Sequence, residues 1–254
     1  MFAPLVPIYI SSIYPTSIPG PLPRRMARCT PDMKSALLSL ADEVLPLAGR
    51  LVLSDLFRSY EEQNQAHKDF VSGKKDAYSP PPGRSFHESG RAFDLDLKAL
   101  GSLGATGDRL TVFHKLAARH GVTPITAPDI KQKEAWHFEL RGSHQTVYDY
   151  YAAGKGTNMK PASAAAASAI VSAGLRVDFL GDTPVPGYVQ SGLIRLGQDI
   201  GNLDGQIGPG TRKALRNLGI SAQEPEDMAQ AVEALLMVNF PKEYFVAQVD
   251  GEES

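Results

Sequence analysis

The chain has 254 residues, of which 43% are hydrophobic, and a formal net charge of −2. This length and composition are typical of a globular protein of one or two domains. A charge so close to balance argues against nucleic acid as a partner, because nucleic-acid-binding surfaces are usually strongly basic. Cys29 is the only cysteine, which excludes an intramolecular disulfide and a cysteine-rich zinc knuckle.

Residues 1–25 form an apolar, proline-rich leader with no charge before Arg24. A secretory signal needs basic residues before an uninterrupted apolar run, and the prolines interrupt this one, so the pattern gives no clear signal peptide. A stable membrane span is not predicted either, since it needs about twenty predominantly apolar residues. Met26 could equally be the translation start, in which case the leader would lie outside the fold.

From residue 26 onward the pattern alternates between helices and strands. Thr30 and Pro31 are typical of a helix beginning, and Gly73 and Gly121 of helix ends. Residues 74–83, with three prolines in a row, predict a loop. Apolar spacing predicts helices over residues 32–47, 60–72, 110–120 and 142–153, and strands over residues 51–53, 92–97, 122–125 and 136–140.

Two short strings contain residues that suit a catalytic metal. His87 and Asp94 lie in the first string, and Glu134 and His137 in the second. A catalytic zinc takes three ligands from His, Asp, Glu or Cys and leaves a fourth position open for water. Each string alone is a weak signal, but Gly90 allows a turn between the first two ligands, and both strings run into strand patterns. We therefore predict an α+β domain over residues 26–153, with an antiparallel sheet that carries the metal on one face.

The strings resemble the motifs of the VanY-like zinc D-alanyl-D-alanine carboxypeptidases. Residues 82–94 are similar to that family's PGxSxHxxGxAxD motif, and residues 134–137 to its ExWH motif. Residues 56–63 resemble the GYRSxxxQ segment, except that Ser-Asp-Leu-Phe stands where Ser-Gly-Tyr is more usual. The departure affects the turn before Arg58, not Arg58 itself. The three motifs occur in the family's order over roughly residues 45–145.

The resemblance implies one zinc ion, held by His87, Asp94 and His137. Glu134 would be the catalytic base that takes a proton from the zinc-bound water and passes it to the leaving amine. It also implies that the substrate is a peptide containing D-amino acids.

Further roles follow from the same resemblance. Arg58 would be a second catalytic residue that binds the oxyanion or a terminal carboxylate, because a permanent charge suits either. Ser85 and Gln63 would bind substrate. Other interpretations stay open, since Arg58 could be a solvated arginine near a helix start and Ser85 a turn cap. Asp96 is either a partner that orients a ligand histidine or an ordinary exposed acid.

The composition changes after residue 153. Residues 154–169 begin with Gly-Lys-Gly-Thr-Asn and continue with Ala/Ser repeats, which we interpret as a linker running into a helix. An alanine-rich tract can also simply be helix. Residues 170–254 predict a small all-α domain, with helical spacing over residues 189–196 and 211–218.

The turn between those two helices resembles a second family. Residues 203–209, Leu-Asp-Gly-Gln-Ile-Gly-Pro, are similar to the DGxxGxxT turn of small three-helix peptidoglycan-binding domains, and Thr211, Ala214 and Leu215 follow in that family's TxxAL arrangement. The alternative is any glycine-rich loop between two helices.

Both resemblances imply the same polymer. The sequence favours a zinc-dependent peptidoglycan peptidase of the D-alanyl-D-alanine carboxypeptidase type, acting on peptide stems in the cell envelope, or held in the cytoplasm before a phage-type release. Alternatives are an L,D- or D,D-endopeptidase of endolysin type and a non-catalytic cell-wall-binding protein. Glu134 argues against the last, because a structural zinc site closes with four ligands and needs no base. The bond cleaved, the export route and the oligomeric state stay open.

Overall fold

The computed structural model describes residues 2–14, 21–101, 103, 108–125 and 134–246. Residue 1, residues 15–20 of the leader and residues 247–254 of the predicted C-terminal domain lie outside this part. Its α-helices are α1 Pro31–Val44, α2 Tyr60–Val71, α3 Arg109–Arg119, α4 His144–Ala152, α5 Pro161–Ser172, α6 Val185–Arg195, α7 Pro209–Asn217 and α8 Pro225–Asn239. Its strands are β1 Val6–Pro7, β2 Arg28–Cys29, β3 Leu53–Asp55, β4 Ala92–Leu95, β5 Thr123–Pro124 and β6 His137–Glu139.

The strands form two antiparallel sheets. One is the pair β1-β2, and the other has four strands in the order β3-β4-β6-β5. The predicted α+β class with an antiparallel sheet is therefore confirmed. No helix in the described residues is long and apolar enough to cross a membrane.

The four-stranded sheet has one apolar face. Leu37 of α1 and Phe113 of α3 share a core with Phe93 of β4 and Phe138 of β6, and all four are fully buried. Because neighbouring residues of a strand point to opposite faces, the residue after Phe93 and the residue before Phe138 lie on the other face of the sheet. Those two residues are the predicted metal ligands of these strands.

The described part of the leader belongs to the fold. Ile8, Ile10 and Leu22 are buried in the same core, and β1 pairs with β2. The ring of Phe2 packs edge-on against Tyr188, with the ring centroids 5.1 Å apart. The interpretation in which the leader lies outside the fold is therefore wrong for these residues.

Two isoleucines of the leader give a direct test of this packing. Ile10 is 5% exposed and Ile13 is 47% exposed. Ile10→Ala should lower the free energy of unfolding by about 2–4 kcal/mol, because it leaves a cavity in the core. Ile13→Ala should change it by less than about 0.5 kcal/mol. Urea denaturation compares the two variants, and equal effects would contradict the packing of the leader.

The alanine-rich tract is a helix, not a linker. Helix α5 begins at Pro161, and its residues from Ala164 to Ser172 are all buried. Small side chains let a helix approach its neighbours closely, and α5 packs between α4 and α6. The linker prediction for residues 154–169 is therefore wrong from residue 161 onward, and the helical alternative is correct.

A buried charged network joins the first and last parts of the chain. Arg91, at the start of β4, contacts Asp32 of α1 and Glu243 near the C-terminus. Arg195 of α6 contacts the same Glu243 and donates to the Ser143 hydroxyl at 2.6 Å. Burial raises the pKa of Glu243, but the charges of Arg195 and Arg91 outweigh burial and hold that pKa below its usual range. The helical C-terminal part is thus docked on the sheet domain.

Candidate metal centre

The three predicted ligands meet at one point of the sheet. Asp94 in β4 and His137 in β6 are directly opposite partners in the antiparallel ladder. His87 lies in a short 3-10 helix, Phe86–Ser89, that precedes β4. Their ligand atoms all lie within 4.8 Å of one another. The sheet therefore sets two of the ligands by register, and a turn brings the third.

The distances within this group fit a single zinc ion. His87 Nε2 lies 3.3 Å from His137 Nδ1, and Asp94 Oδ1 lies 2.9 Å from His137 Nδ1 and 3.4 Å from His87 Nε2. Zinc bonds of roughly 2.0–2.1 Å in a tetrahedron place neighbouring ligand atoms about 3.3 Å apart. Two imidazoles and a carboxylate are also the donor types that zinc prefers. The residues therefore fit a three-ligand site with an open fourth position.

The electrostatics of the triad also favour a cation. Burial raises the pKa of Asp94, but the charge and hydrogen bond of His87 and the hydrogen bond of His137 outweigh burial and hold that pKa far below its usual range. Burial lowers the pKa of His137, but contacts with Asp94 and Glu139 raise it to about 10. The carboxylates that favour a proton on this imidazole favour a divalent metal for the same reason.

In each histidine, the ring nitrogen that faces away from the triad contacts an oxygen atom, and this contact orients the ring. His87 Nδ1 lies 2.8 Å from the Leu56 carbonyl oxygen, to which it donates, and this leaves Nε2 for the metal. His137 Nε2 lies 3.5 Å from Glu139 Oε1, and Glu139 Oε2 accepts from Arg141 Nε at 2.9 Å. Sequence reasoning missed Glu139, although the alternation of β6 places it on the same face as His137.

Glu139→Gln should weaken zinc binding by about 10- to 100-fold, because the carboxylate that orients His137 is lost. Competition with a chromogenic zinc chelator measures this affinity. Glu43→Gln is a matched control, since Glu43 also contacts a histidine and an arginine, His120 and Arg119, away from the triad. Equal zinc affinity in the two variants would contradict the orienting role.

The triad lies in a cleft of about 590 Å³, which Glu134, Arg58 and Ser85 also line. Glu134 is half-buried in the turn before β6, where its carbonyl accepts from the His137 backbone N–H at 3.1 Å. This hydrogen bond holds the main chain of Glu134, the predicted base, next to that of His137, a predicted ligand. The structure thus brings the predicted base and the three predicted ligands to one cleft.

Arg58 is held at the cleft by both its backbone and its side chain. Its backbone N–H donates to the His87 carbonyl at 3.1 Å, its Nε to Asp55 Oδ2 at 3.1 Å, and its Nη1 to Gln63 Oε1 at 2.7 Å. Burial lowers the pKa of Arg58, but the charge of Asp55 outweighs burial and raises it. The guanidinium therefore stays charged, and it is rigid.

Gln63 lies behind Arg58 and not in the cleft. It is completely buried, and its amide nitrogen donates to the Ser79 hydroxyl at 3.1 Å and the Pro80 carbonyl at 2.6 Å. Its oxygen accepts from Arg58, so the side chain bonds at both ends to other parts of the protein. The prediction that Gln63 binds substrate directly is therefore wrong. Gln63 instead positions Arg58.

The loop that contains Ser85 is fixed by a buried carboxylate. Glu88 accepts from the backbone N–H of Gly83 at 3.0 Å and of Ser85 at 3.3 Å. Burial raises the pKa of Glu88 to about 7, against the hydrogen bonds from these amides. Ser85 is 7% exposed and lines the cleft. Sequence reasoning missed Glu88, which the Ser-x-x-Glu capping pattern could have indicated.

Gly90 makes the turn between His87 and Asp94 possible. Its φ is +63°, and a Cβ there would lie 2.7 Å from Cys29 Cα and 2.9 Å from the Arg28 carbonyl. Both neighbours are main-chain atoms of β2 that cannot move aside, so glycine is needed for both conformation and space. Asp96, by contrast, lies beyond β4, where its carboxylate accepts from the Lys98 backbone N–H at 3.0 Å.

One wall of the cleft comes from the C-terminal part of the chain. Lys160, the residue before α5, lines the cleft together with Ala162 and Ser163. The next turns of α5 pack Ala165 and Ala169 against Phe86, the neighbour of a metal ligand. The sequence pattern of residues 154–169 does not indicate this wall.

Among solved structures, the chain has a weak match to a zinc-bound peptidase. The chain resembles a mutant of the vancomycin-resistance D,D-pentapeptidase VanY, from a VanB-type resistance cassette, in complex with Zn(II), with a TM-score of 0.36 and 20% sequence identity. The match covers 44% of this chain and 72% of that one. No family model and no curated protein matches the chain. A similarity this low does not establish function.

Proposed function

We propose that the protein is a zinc-dependent peptidoglycan peptidase of the D-alanyl-D-alanine carboxypeptidase type. The observation that supports this most is one cleft containing three converging zinc ligands, a carboxylate outside the ligand set and a rigid arginine. A site with three protein ligands beside a free carboxylate is typical of catalytic zinc and not of structural zinc. The ordered motifs of the sequence favour the same chemistry.

In the proposed reaction, each group of residues in the cleft has a separate role. Zinc, when held by His87, Asp94 and His137, would polarise the substrate carbonyl as a Lewis acid and acidify a water molecule. The carboxylate of Glu134 takes the proton of the attacking water and passes it to the leaving amine nitrogen. The Arg58 guanidinium donates to the oxygen on which negative charge develops, or to the terminal carboxylate of the peptide.

The choice of a carboxypeptidase rests on the polar groups around the triad. A carboxypeptidase must bind a free terminal carboxylate, and Arg58 and the hydroxyl of Ser85 are donors of suitable type in the same cleft. An endopeptidase would need room for peptide on both sides of the scissile bond. The two activities give different products, so one experiment separates them.

A defined muropeptide pentapeptide, incubated with the purified protein and analysed by mass spectrometry, tests the proposal. We expect loss of one terminal alanine, dependent on zinc and blocked by a chelator. An internal cut would replace the carboxypeptidase by an endopeptidase. No product from zinc-loaded protein across pentapeptides of differing composition would contradict the proposed function.

We further propose that residues 170–254 bind peptidoglycan and that the protein acts in the cell envelope. Support comes from the turn between α6 and α7, which Gln190 organises by accepting from the backbone N–H of Asp204 at 3.0 Å and of Gly205 at 2.7 Å. Sedimentation of the full chain with insoluble peptidoglycan measures the binding. Retention of the protein in the supernatant would contradict it.

A further inference from the structure

The cleft has an excess of positive charge. Two of its cationic side chains, Arg58 and Arg141, form ion pairs with neighbouring carboxylates. The other three form no close ion pair within the described residues, although the charge of Lys75 helps to lower the pKa of Asp69. They are Lys75, Arg84 and Lys160.

Lys160 has a fixed position relative to the metal triad. It is the N-terminal cap residue of α5, and its side chain is exposed at the cleft. The helix that follows packs through Ala165, Ala166 and Ala169 against Phe86, in the same 3-10 helix as His87. A peptide that occupies the cleft would therefore meet a wall that contains a lysine with a fixed main chain.

Arg84, which belongs to the sheet domain, adds a second positive charge to the same cleft. It directly precedes Ser85, and its guanidinium lies over the ring of Phe179, 5.2 Å from the centroid. Phe179 belongs to the segment between α5 and α6, so this contact also involves the C-terminal part. Stacking on a ring leaves the outward N–H groups of the guanidinium free to bind an anion.

The metal site does not cancel this charge. A divalent ion held by two imidazoles and one carboxylate keeps a net positive charge, which the carboxylate of Glu134 offsets. The charges of Lys75, Arg84 and Lys160 then remain, and they line one concave cleft, where their fields add. The terminal carboxylate of a peptide would satisfy only one cation.

We propose that Lys160, assisted by Arg84 and Lys75, selects acidic peptides by binding a substrate carboxylate away from the scissile bond. This inference rests on the proposed peptidase function and adds a specificity-determining residue from the helical C-terminal part. Its electrostatic basis also predicts that the preference weakens as ionic strength rises.

Two synthetic peptides that end in D-Ala-D-Ala and differ only by glutamate against glutamine upstream test the selection. Wild-type protein should prefer the glutamate peptide. We define the selectivity as kcat/KM for the glutamate peptide divided by kcat/KM for the glutamine peptide. Lys160→Met should lower this acid-to-amide ratio by about three- to fivefold, which is the effect of losing one partly exposed charge pair. The change should arise mainly from KM. Lys160→Arg should restore the ratio. Lys155→Met is the matched control, because Lys155 is 51% exposed and pairs with Asp199 outside the cleft.

Binding of the same two peptides to zinc-loaded protein, measured by calorimetry, separates this inference from the proposed function. If neither peptide is cleaved, the proposed function fails, while the acid-to-amide ratio of Kd still tests Lys160. A ratio of one in the wild-type protein would overturn the selection of acidic peptides. An unchanged ratio in Lys160→Met would overturn the role of this lysine.

Discussion

Glu134→Gln should lower turnover by about 10²- to 10⁴-fold while leaving zinc bound, since positioned proton transfer contributes an effect of this size. Glutamine has nearly the same volume as glutamate but cannot accept the proton of the attacking water. The three candidate ligands lie on other residues, so the metal should remain. Product formation by mass spectrometry and zinc content by elemental analysis measure both quantities in one sample.

The matched control is Glu61→Gln, which changes an exposed acid in the first turn of α2. It should keep both turnover and zinc. Turnover at the wild-type level in Glu134→Gln would exclude Glu134 as the base. Loss of zinc in that variant would instead place the carboxylate among the ligands.

Glu243→Gln should lower the free energy of unfolding by about 3–5 kcal/mol, because it leaves the buried Arg195 without its counter-charge and leaves Arg91 with Asp32 alone. The side chain of Arg195 is 0% exposed and that of Arg91 is 1% exposed. Glutamine keeps the shape of the side chain, so the loss reports the charge. Thermal and urea unfolding measure it, and we expect the sheet domain and the helical part to be destabilised together.

The exposed pair Glu43–Arg119 provides the control for this network. The side chains of this pair are 34% and 60% exposed, and Glu43→Gln should cost less than about 1 kcal/mol. Because the folded-state pKa of Glu243 lies below its ordinary 4.5, its contribution is present at neutral pH and is lost as the pH falls below that value. Equal destabilisation by the two variants at neutral pH would contradict the network.

The local sequence was sufficient to predict that His87, Asp94 and His137 converge. Strand alternation places Asp94 and His137 on the face opposite Phe93 and Phe138, because side-chain direction depends only on position along the strand. Gly90 indicates the turn that brings His87 to them. These features depend on neighbours a few residues away, which a sequence pattern records.

The tertiary structure decided which other residues support the site. Gln63 matches a motif position, but only the packing of residues 79–80 over it shows that it contacts Arg58 and not the cleft. The orienting role of Glu139 depends on the rotamer of His137, which the alternation of the strand does not fix.

The sequence by itself thus predicted the α+β class, which the structure confirms, and the three candidate zinc ligands and candidate base, which the structure brings to one cleft. Only the tertiary structure showed that the described part of the leader packs in the core, that α5 forms a wall of the cleft, and that Glu243 joins Arg91 to Arg195. The physical reason is the distance along the chain over which each interaction acts. Alternation, turns and caps are set by neighbours in sequence, whereas burial of an apolar leader or an alanine helix depends on surfaces supplied by distant parts of the chain.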